Sequence, residues 1–243
     1  MKNAETTLAK LVEIALRRYS MIEPNDKILV GVSGGKDSTC LVRDLAIKRK
    51  WWEIPFEIEA CHIATDLYAA GLGAEQDDSW ISGKMEEWGI RYTRIDVPVI
   101  GRLKSGEKMN CYWCATQRRT ELSRYARAKG FNKLALGHHM DDILETLLMN
   151  MLRKGEFATM PPVMPYINYP LTVIRPLALC EERLVVECAE ELGFSSSTCS
   201  CGFNLEGERK TTRALLESLT RGSSHAKRNL FTSMSRIKRD YLA

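Results

Sequence analysis

The chain has 243 residues, 44% of them hydrophobic and 27% charged, with a formal net charge of +4. This balance is ordinary for a soluble globular protein, and no apolar run is long enough to span a bilayer as a helix. Residues 1–19 carry charges throughout and lack an apolar block ahead of a cleavage site, so they read as a helix and not a signal peptide. The expected compartment is the cytoplasm.

In chain order, helical spacing over 4–19 leads into a short buried strand at 27–32. A helix at 39–49, a strand at 58–64, a helix at 75–88 and a strand at 91–97 follow. Then come an Arg-rich helix at 114–129, a strand at 133–137, a helix at 141–152, a strand at 173–177 and a helix at 181–192. Repeated alternation of strand and helix predicts an α/β fold with a doubly wound parallel sheet of about five strands behind an N-terminal helix. Two segments break the alternation. Residues 159–170 hold four prolines and read as irregular, and 194–207 is rich in Ser, Cys and Gly. Both are expected to be surface loops, where sites tend to be built.

Beyond residue 207 the chain reads as a helical, basic extension. Residues 208–243 carry nine Lys or Arg against three Asp or Glu, which leaves the rest of the chain slightly acidic. The expected organisation is therefore one unit over 1–206 and an extension over 207–243. A basic tail on a near-neutral body suits a polyanion such as RNA. Arg118, Arg119, Arg124 and Arg127 of the Arg-rich helix, with Lys227, Arg228, Arg236, Lys238 and Arg239 of the tail, are the expected phosphate contacts.

The sharpest string is Ser33-Gly34-Gly35-Lys36-Asp37-Ser38, directly after the first strand. Gly34 and Gly35 let the backbone wrap a phosphate closely. Amides of the loop and of the following helix then point at the anion. Ser33 and Ser38 add hydroxyls and Lys36 a charge. Asp37 repels phosphate unless a divalent cation such as Mg2+ lies between them. Gly137-His138-His139-Met140-Asp141-Asp142 follows the fourth strand. Gly137 permits close approach of a ribose or phosphate, and Asp141 and Asp142 are candidate magnesium ligands that also suit a helix start. Ile63, in the second strand, is a further candidate nucleotide contact. Adjacent histidines point in different directions, which argues against a zinc site at His138 and His139.

Eight cysteines fall into two groups. Cys40, Cys61, Cys180 and Cys188 lie in apolar or helical patterns and are expected in the core. Cys111 and Cys114, and Cys199 and Cys201, form two close pairs in loop-like contexts. Such pairs in a cytosolic chain point to a metal centre or redox chemistry. The spacing alone leaves zinc, an iron–sulfur cluster and a redox disulfide open.

The Ser33–Ser38 string resembles the PP-loop of the ATP pyrophosphatases, a fold of the adenine nucleotide alpha hydrolase type. The likeness extends over nearly the whole chain to the tRNA 2-thiocytidine synthetase family. It is carried by VGVSGGKDS, CYWCATQRR, LALGHHMDDILETLLMNM, the MPP of Met160 to Pro162 and the IRPL of Ile174 to Leu177. It implies cleavage of ATP between the α- and β-phosphates, with the C2 oxygen of a tRNA pyrimidine adenylated and then replaced by sulfur. The favoured target is a cytidine in the anticodon loop. Lys36, Asp37 and Arg175 become the expected catalytic residues. The resemblance also implies a [4Fe-4S] cluster on three cysteines, with one iron left open for sulfur. Cys111 and Cys114 are two of these ligands. The third is Cys199, with Cys201 the alternative, because this chain has one residue between the later pair where the family usually has two. The implied partners are tRNA and a sulfur donor, either cysteine-desulfurase-derived or inorganic sulfide, and a homodimer stays open. Two rival classes share these features. One is a PP-loop ligase or amidotransferase with structural zinc on the cysteines, and the other is an iron–sulfur RNA-binding or redox-sensing protein.

Overall fold

The computed structural model describes residues 3–72, 78–167, 170–194 and 208–241. Helix α1 (Ala4–Arg18) is capped by Asn3, whose side chain accepts from Thr6 N, and buries Leu8, Val12, Ala15 and Leu16 at helical spacing. Strand β1 (Asp26–Val32) feeds α2 (Lys36–Lys48), and β2 (Phe56–Thr65) is followed by α3 (Ser79–Glu87). Strand β3 (Arg91–Val97) leads to α4 (Cys111–Lys129), and β4 (Lys133–Ala135) to α5 (Met140–Lys154). Strands β5 (Val163–Pro165) and β6 (Thr172–Ile174), a 3-10 turn at Pro176–Leu179 and α6 (Glu182–Glu191) complete the sheet unit. Helices α7 (Glu208–Thr220) and α8 (Ser224–Ser233) form the basic extension.

The sheet has the order β3-β2-β1-β4-β6-β5. Its first five strands in that order pair in parallel, and β5 pairs antiparallel to β6. Strand order reverses between β1 and β4, so the segments leaving these two strands meet at a crevice on the C-terminal edge, where open α/β sheets bind ligands. One face packs Ile28, Val30 and Val32 against α1, α2 and α6. The other packs Leu29, Cys61, Ile63 and Leu134 against α4. Met140 and Leu144 of α5 join Leu216 of α7 in a small third core, against which Leu230, Phe231 and Met234 pack. That contact seats the extension on the helix that follows β4.

The doubly wound α/β reading holds, with corrections. The sheet has six strands and not five, because the proline segment is not wholly irregular: Val163, Met164 and Pro165 pair with Ile174, Val173 and Thr172. β5 is an edge strand, where a proline's missing N–H costs no ladder bond. The strand expected at 173–177 ends at Ile174, since Pro176 starts a 3-10 turn instead. Helices α2 and α4 each begin three residues before the expected start. The four cysteines expected in the core are all buried. Residues 195–207, the expected Ser/Cys/Gly loop with Cys199 and Cys201, lie outside the described residues.

Candidate functional site

Gly34 sits at φ 81°, a left-handed conformation that glycine adopts without strain. Gly35 is the extended N-cap of α2, and Thr39 N donates to its carbonyl at 3.2 Å. Lys36 and Asp37 therefore occupy the first helical turn, with amides facing the crevice mouth. The loop is braced from within. Ser33 N donates to Ser38 Oγ at 3.1 Å, and Ser38 Oγ donates to Gly35 O at 3.0 Å. Gly35 N donates to Ser33 Oγ at 3.3 Å. The hydroxyls expected to reach a phosphate are thus also the ones that shape the loop.

Gly137 explains why the two motifs touch. A Cβ there would lie 3.0 Å from Ser38 N and 3.1 Å from Asp37 C. The close approach expected of a nucleotide is made here by the loop's own backbone, so any side chain at 137 would push the first turn of α2 out of place.

His139 caps α5. Its Nδ1 accepts from Asp142 N at 3.3 Å, while His139 N donates to Asp142 Oδ2 at 3.1 Å. This reciprocal box holds the imidazole ring in place at the start of α5. Asp141 is buried, and both of its oxygens are engaged: Oδ2 accepts from Glu182 N at 2.6 Å and Oδ1 from Lys227 Nζ at 2.8 Å. Asp37 differs. Its Oδ1 is buried without a hydrogen bond, 3.2 Å from Lys36 Nζ and 3.9 Å from His139 Nε2. Of the carboxylates expected to hold magnesium, Asp37 has an oxygen without a hydrogen bond beside the Lys36 ammonium, Asp142 is partly committed and Asp141 is fully committed.

Burial works against the charge of Lys36, but the Asp37 and Glu182 carboxylates outweigh it and hold the ammonium above its ordinary pKa. Arg175 is buried, donating from Nη1 to Pro161 O at 2.5 Å and from Nε to His138 Nδ1 at 3.3 Å. Both acceptors are neutral, and burial pulls the guanidinium down to about 10. A buried cation whose hydrogen bonds among the described residues go to neutral groups favours an arriving anion. The same contact joins the MPP and IRPL strings. Ile63 packs its side chain in the core, which leaves its backbone as the part able to meet a nucleotide.

Burial lowers His138 to about 4, so it is neutral at physiological pH and can accept from Arg175. Unfolding frees the ring to its usual value near 6.5. The unfolded chain then takes up the proton first, and stability present above that value falls as pH drops from about 6.5 toward 4. The expected loss is on the order of 3 kcal/mol. Melting curves across this range should show it in the wild type and not in His138→Gln; equal acid sensitivity in both would refute the assignment.

Asn110 caps α4 by accepting from Trp113 N at 2.8 Å, so Cys111-Tyr112-Trp113-Cys114 forms the helix's first turn and not a loop before it. Cys111 and Cys114, three apart, share a face. Cys111 is exposed and Cys114 half-buried. Trp113 anchors the turn by donating from Nε1 to Val99 O at 3.0 Å. α4 follows β3, so its N-terminus lies on the same sheet edge as the Ser33–Ser38 loop. Among the described residues no group of three or more metal-ligating side chains assembles. The remaining expected ligand, Cys199 or Cys201, is outside them.

The extension reaches into the site. Lys227, expected to face RNA, is buried between Asp141 and Glu217. Arg228 lies 3.3 Å from Glu181. Arg213 Nε donates to buried Glu145 at 2.8 Å, with Nη2 3.4 Å from Glu182. Of the tail cations named above, Arg228, Arg236, Lys238 and Arg239 are exposed. Lys227 is thus corrected from a phosphate contact to an internal ion-pair partner. Glu182 and Arg213 carried no signal in the sequence, where they read as ordinary helix-surface charges.

A PP-loop domain model matches residues 2–195. A tRNA-cytidine(32) 2-sulfurtransferase of Coxiella burnetii (strain CbuG_Q212) is 33% identical, covering 98% of this chain and 92% of that protein. The tRNA-cytidine(32) 2-sulfurtransferase 1 of Francisella philomiragia is 31% identical, covering 100% and 94%. Among solved structures, the U34-tRNA thiolase NcsA from Methanococcus maripaludis, determined with its [4Fe-4S] cluster, superposes with a TM-score of 0.75. It shares 20% identity and is covered over 98% of this chain and 80% of its own, a likeness of fold. With the loop after β1, the capped GHHMDD turn after β4 and near end-to-end identity above 30% to such relatives, the chain belongs to the tRNA-cytidine(32) 2-sulfurtransferase family of PP-loop proteins.

Proposed function

We propose that this protein is an ATP-dependent tRNA sulfurtransferase that exchanges the C2 oxygen of a cytidine for sulfur. The position is that given in its relatives' name, cytidine 32. The observation that carries the reading is the placement of the PP-loop and the Cys111–Cys114 turn on one edge of the sheet. Activation and sulfur insertion need their groups side by side.

The residues divide the work in two stages. Amides of the Gly34–Asp37 turn receive the phosphates of ATP, and Lys36 and Arg175 stabilise charge developing on them. Asp37 would hold a magnesium ion, which would offset the remaining phosphate charge. The cytidine O2 attacks the α-phosphate, forming a P–O bond and expelling pyrophosphate. Adenylation turns a poor leaving group into a good one. Sulfur at the sulfide level then forms the C2–S bond as the C2–O bond breaks and AMP departs, without net oxidation. Two of the three expected ligands sit suitably for a cluster, one exposed and one half-buried at a helix N-terminus. Cys111 and Cys114, with Cys199 or Cys201 as the third ligand, would hold a [4Fe-4S] cluster, which would supply the sulfur-carrying chemistry. The donor is cysteine-desulfurase-derived sulfur or inorganic sulfide, and the site of action the cytoplasm. Residues 1–206 form the catalytic unit and 207–243 its extension.

An unpaired loop base suits this chemistry, since a stem would hide C2. Mass spectrometry of nucleosides from tRNA of a strain lacking the protein should show loss of 2-thiocytidine, restored by the wild-type gene. Unchanged 2-thiocytidine would refute the reading.

A further inference from the structure

The PP-loop lysine has a second carboxylate partner from a distant part of the chain. Lys36 Nζ lies 3.2 Å from Glu182 Oε1 and 3.2 Å from Asp37 Oδ1. Glu182 is the first residue of α6, and Asp141 holds its backbone N–H at 2.6 Å, so its position is tied to the α5 cap. Its other oxygen, Oε2, faces Arg213 Nη2 of α7 at 3.4 Å. Arg213 is anchored in turn on Glu145, which is 1% exposed. Charges alternate along Lys36, Glu182, Arg213 and Glu145, and the four residues come from α2, α6, α7 and α5.

We propose that Glu182 is a positioning residue for Lys36, and that Arg213 of the C-terminal extension locks Glu182 in place. The proposal rests on the reading of the loop as an ATP site. A lysine side chain is a flexible four-carbon stem with a compact charge. With Asp37 as its only partner, it would neutralise the carboxylate that has an oxygen to offer a divalent cation. Glu182 gives the ammonium a second anchor, so Asp37 can turn to the metal while Lys36 stays at the loop. The partly buried setting keeps this pairing from being screened as a surface pair is. The extension is then part of the nucleotide machinery as well as a basic surface.

The test is binding of the α,β-methylene analogue of ATP with magnesium to the full-length protein. Glu182→Gln should weaken binding about tenfold at an unchanged melting temperature, the size of one charge-assisted contact. In a Lys36→Gln background the same change should cost nothing further, since the two act as a unit. Arg213→Ala, on a half-exposed side chain, should weaken binding about threefold, with Arg213→Lys restoring part of it. Equal losses from Glu182→Gln in both backgrounds would mean that Glu182 acts independently of Lys36, and would overturn the proposal. So would unchanged affinity in Glu182→Gln. A wild-type protein that fails to bind the analogue would overturn the ATP reading itself, and the positioning role with it.

Discussion

Alanine at Asp37 or at Lys36 should abolish tRNA-dependent pyrophosphate release while leaving the fold intact. Both side chains are partly exposed, at 31% and 23%, on the first turn of α2, and neither belongs to a hydrophobic core. The stability change should therefore stay within about 1 kcal/mol. The activity change should be large, on the order of a thousandfold or more, as for loss of a preorganised charge at a phosphate. Asp37→Asn sharpens the case. It keeps the shape but cannot offer a full negative charge to a cation, so added magnesium should not rescue it. Pyrophosphate release and thermal melting measured on the same preparations decide the matter. Normal turnover in the Lys36 and Asp37 variants would remove the PP-loop assignment.

The cysteines carry the second large effect. Cys111→Ala and Cys114→Ala should each lose thiolation and cluster iron while still binding ATP, because the α4 turn and the α2 turn are separate elements. Both cysteines lie on one helical face, and neither is among the fully buried residues that hold the fold. With three cluster ligands, only one of Cys199→Ala and Cys201→Ala should share that loss, and Cys199 is the expected one. A four-cysteine zinc site makes the opposite forecast, since all four variants would lose metal. Anaerobic purification with iron, sulfide and zinc analysis separates the two. A colourless protein holding one tight zinc would end the sulfur-carrier role and leave ATP activation standing.

Much of the fold was legible because its signals are local. Val30, Val32, Leu8 and Val12 report burial through their spacing alone, and Gly34 reports a turn through its missing Cβ. Element boundaries were less legible. α2 begins at Lys36 because Gly35 is extended and caps it, and α4 begins at Cys111 because Asn110 does the same. Apolar periodicity starts only a turn later in each helix, so a reading based on period misses the first turn. Pro165 misled for a different reason. Its tolerance in β5 depends on that strand being at an edge, which no local pattern reveals.

The contiguous strings disclosed the chemistry of the site: a phosphate loop, an acidic helix start and a thiol pair each declare themselves within six residues. Which charges pair across the site was decided by packing. Lys36 meets Glu182 across 146 positions, and Asp141 meets Lys227 across 86. Asp141 and Asp37 look alike as candidate metal ligands in the sequence. One is consumed by α6 and α8, and the other keeps an oxygen without a hydrogen bond beside the Lys36 ammonium. A residue type states what charge a side chain can bring, but an ion pair needs two atoms within about 4 Å, and only the folded arrangement of helices sets that distance.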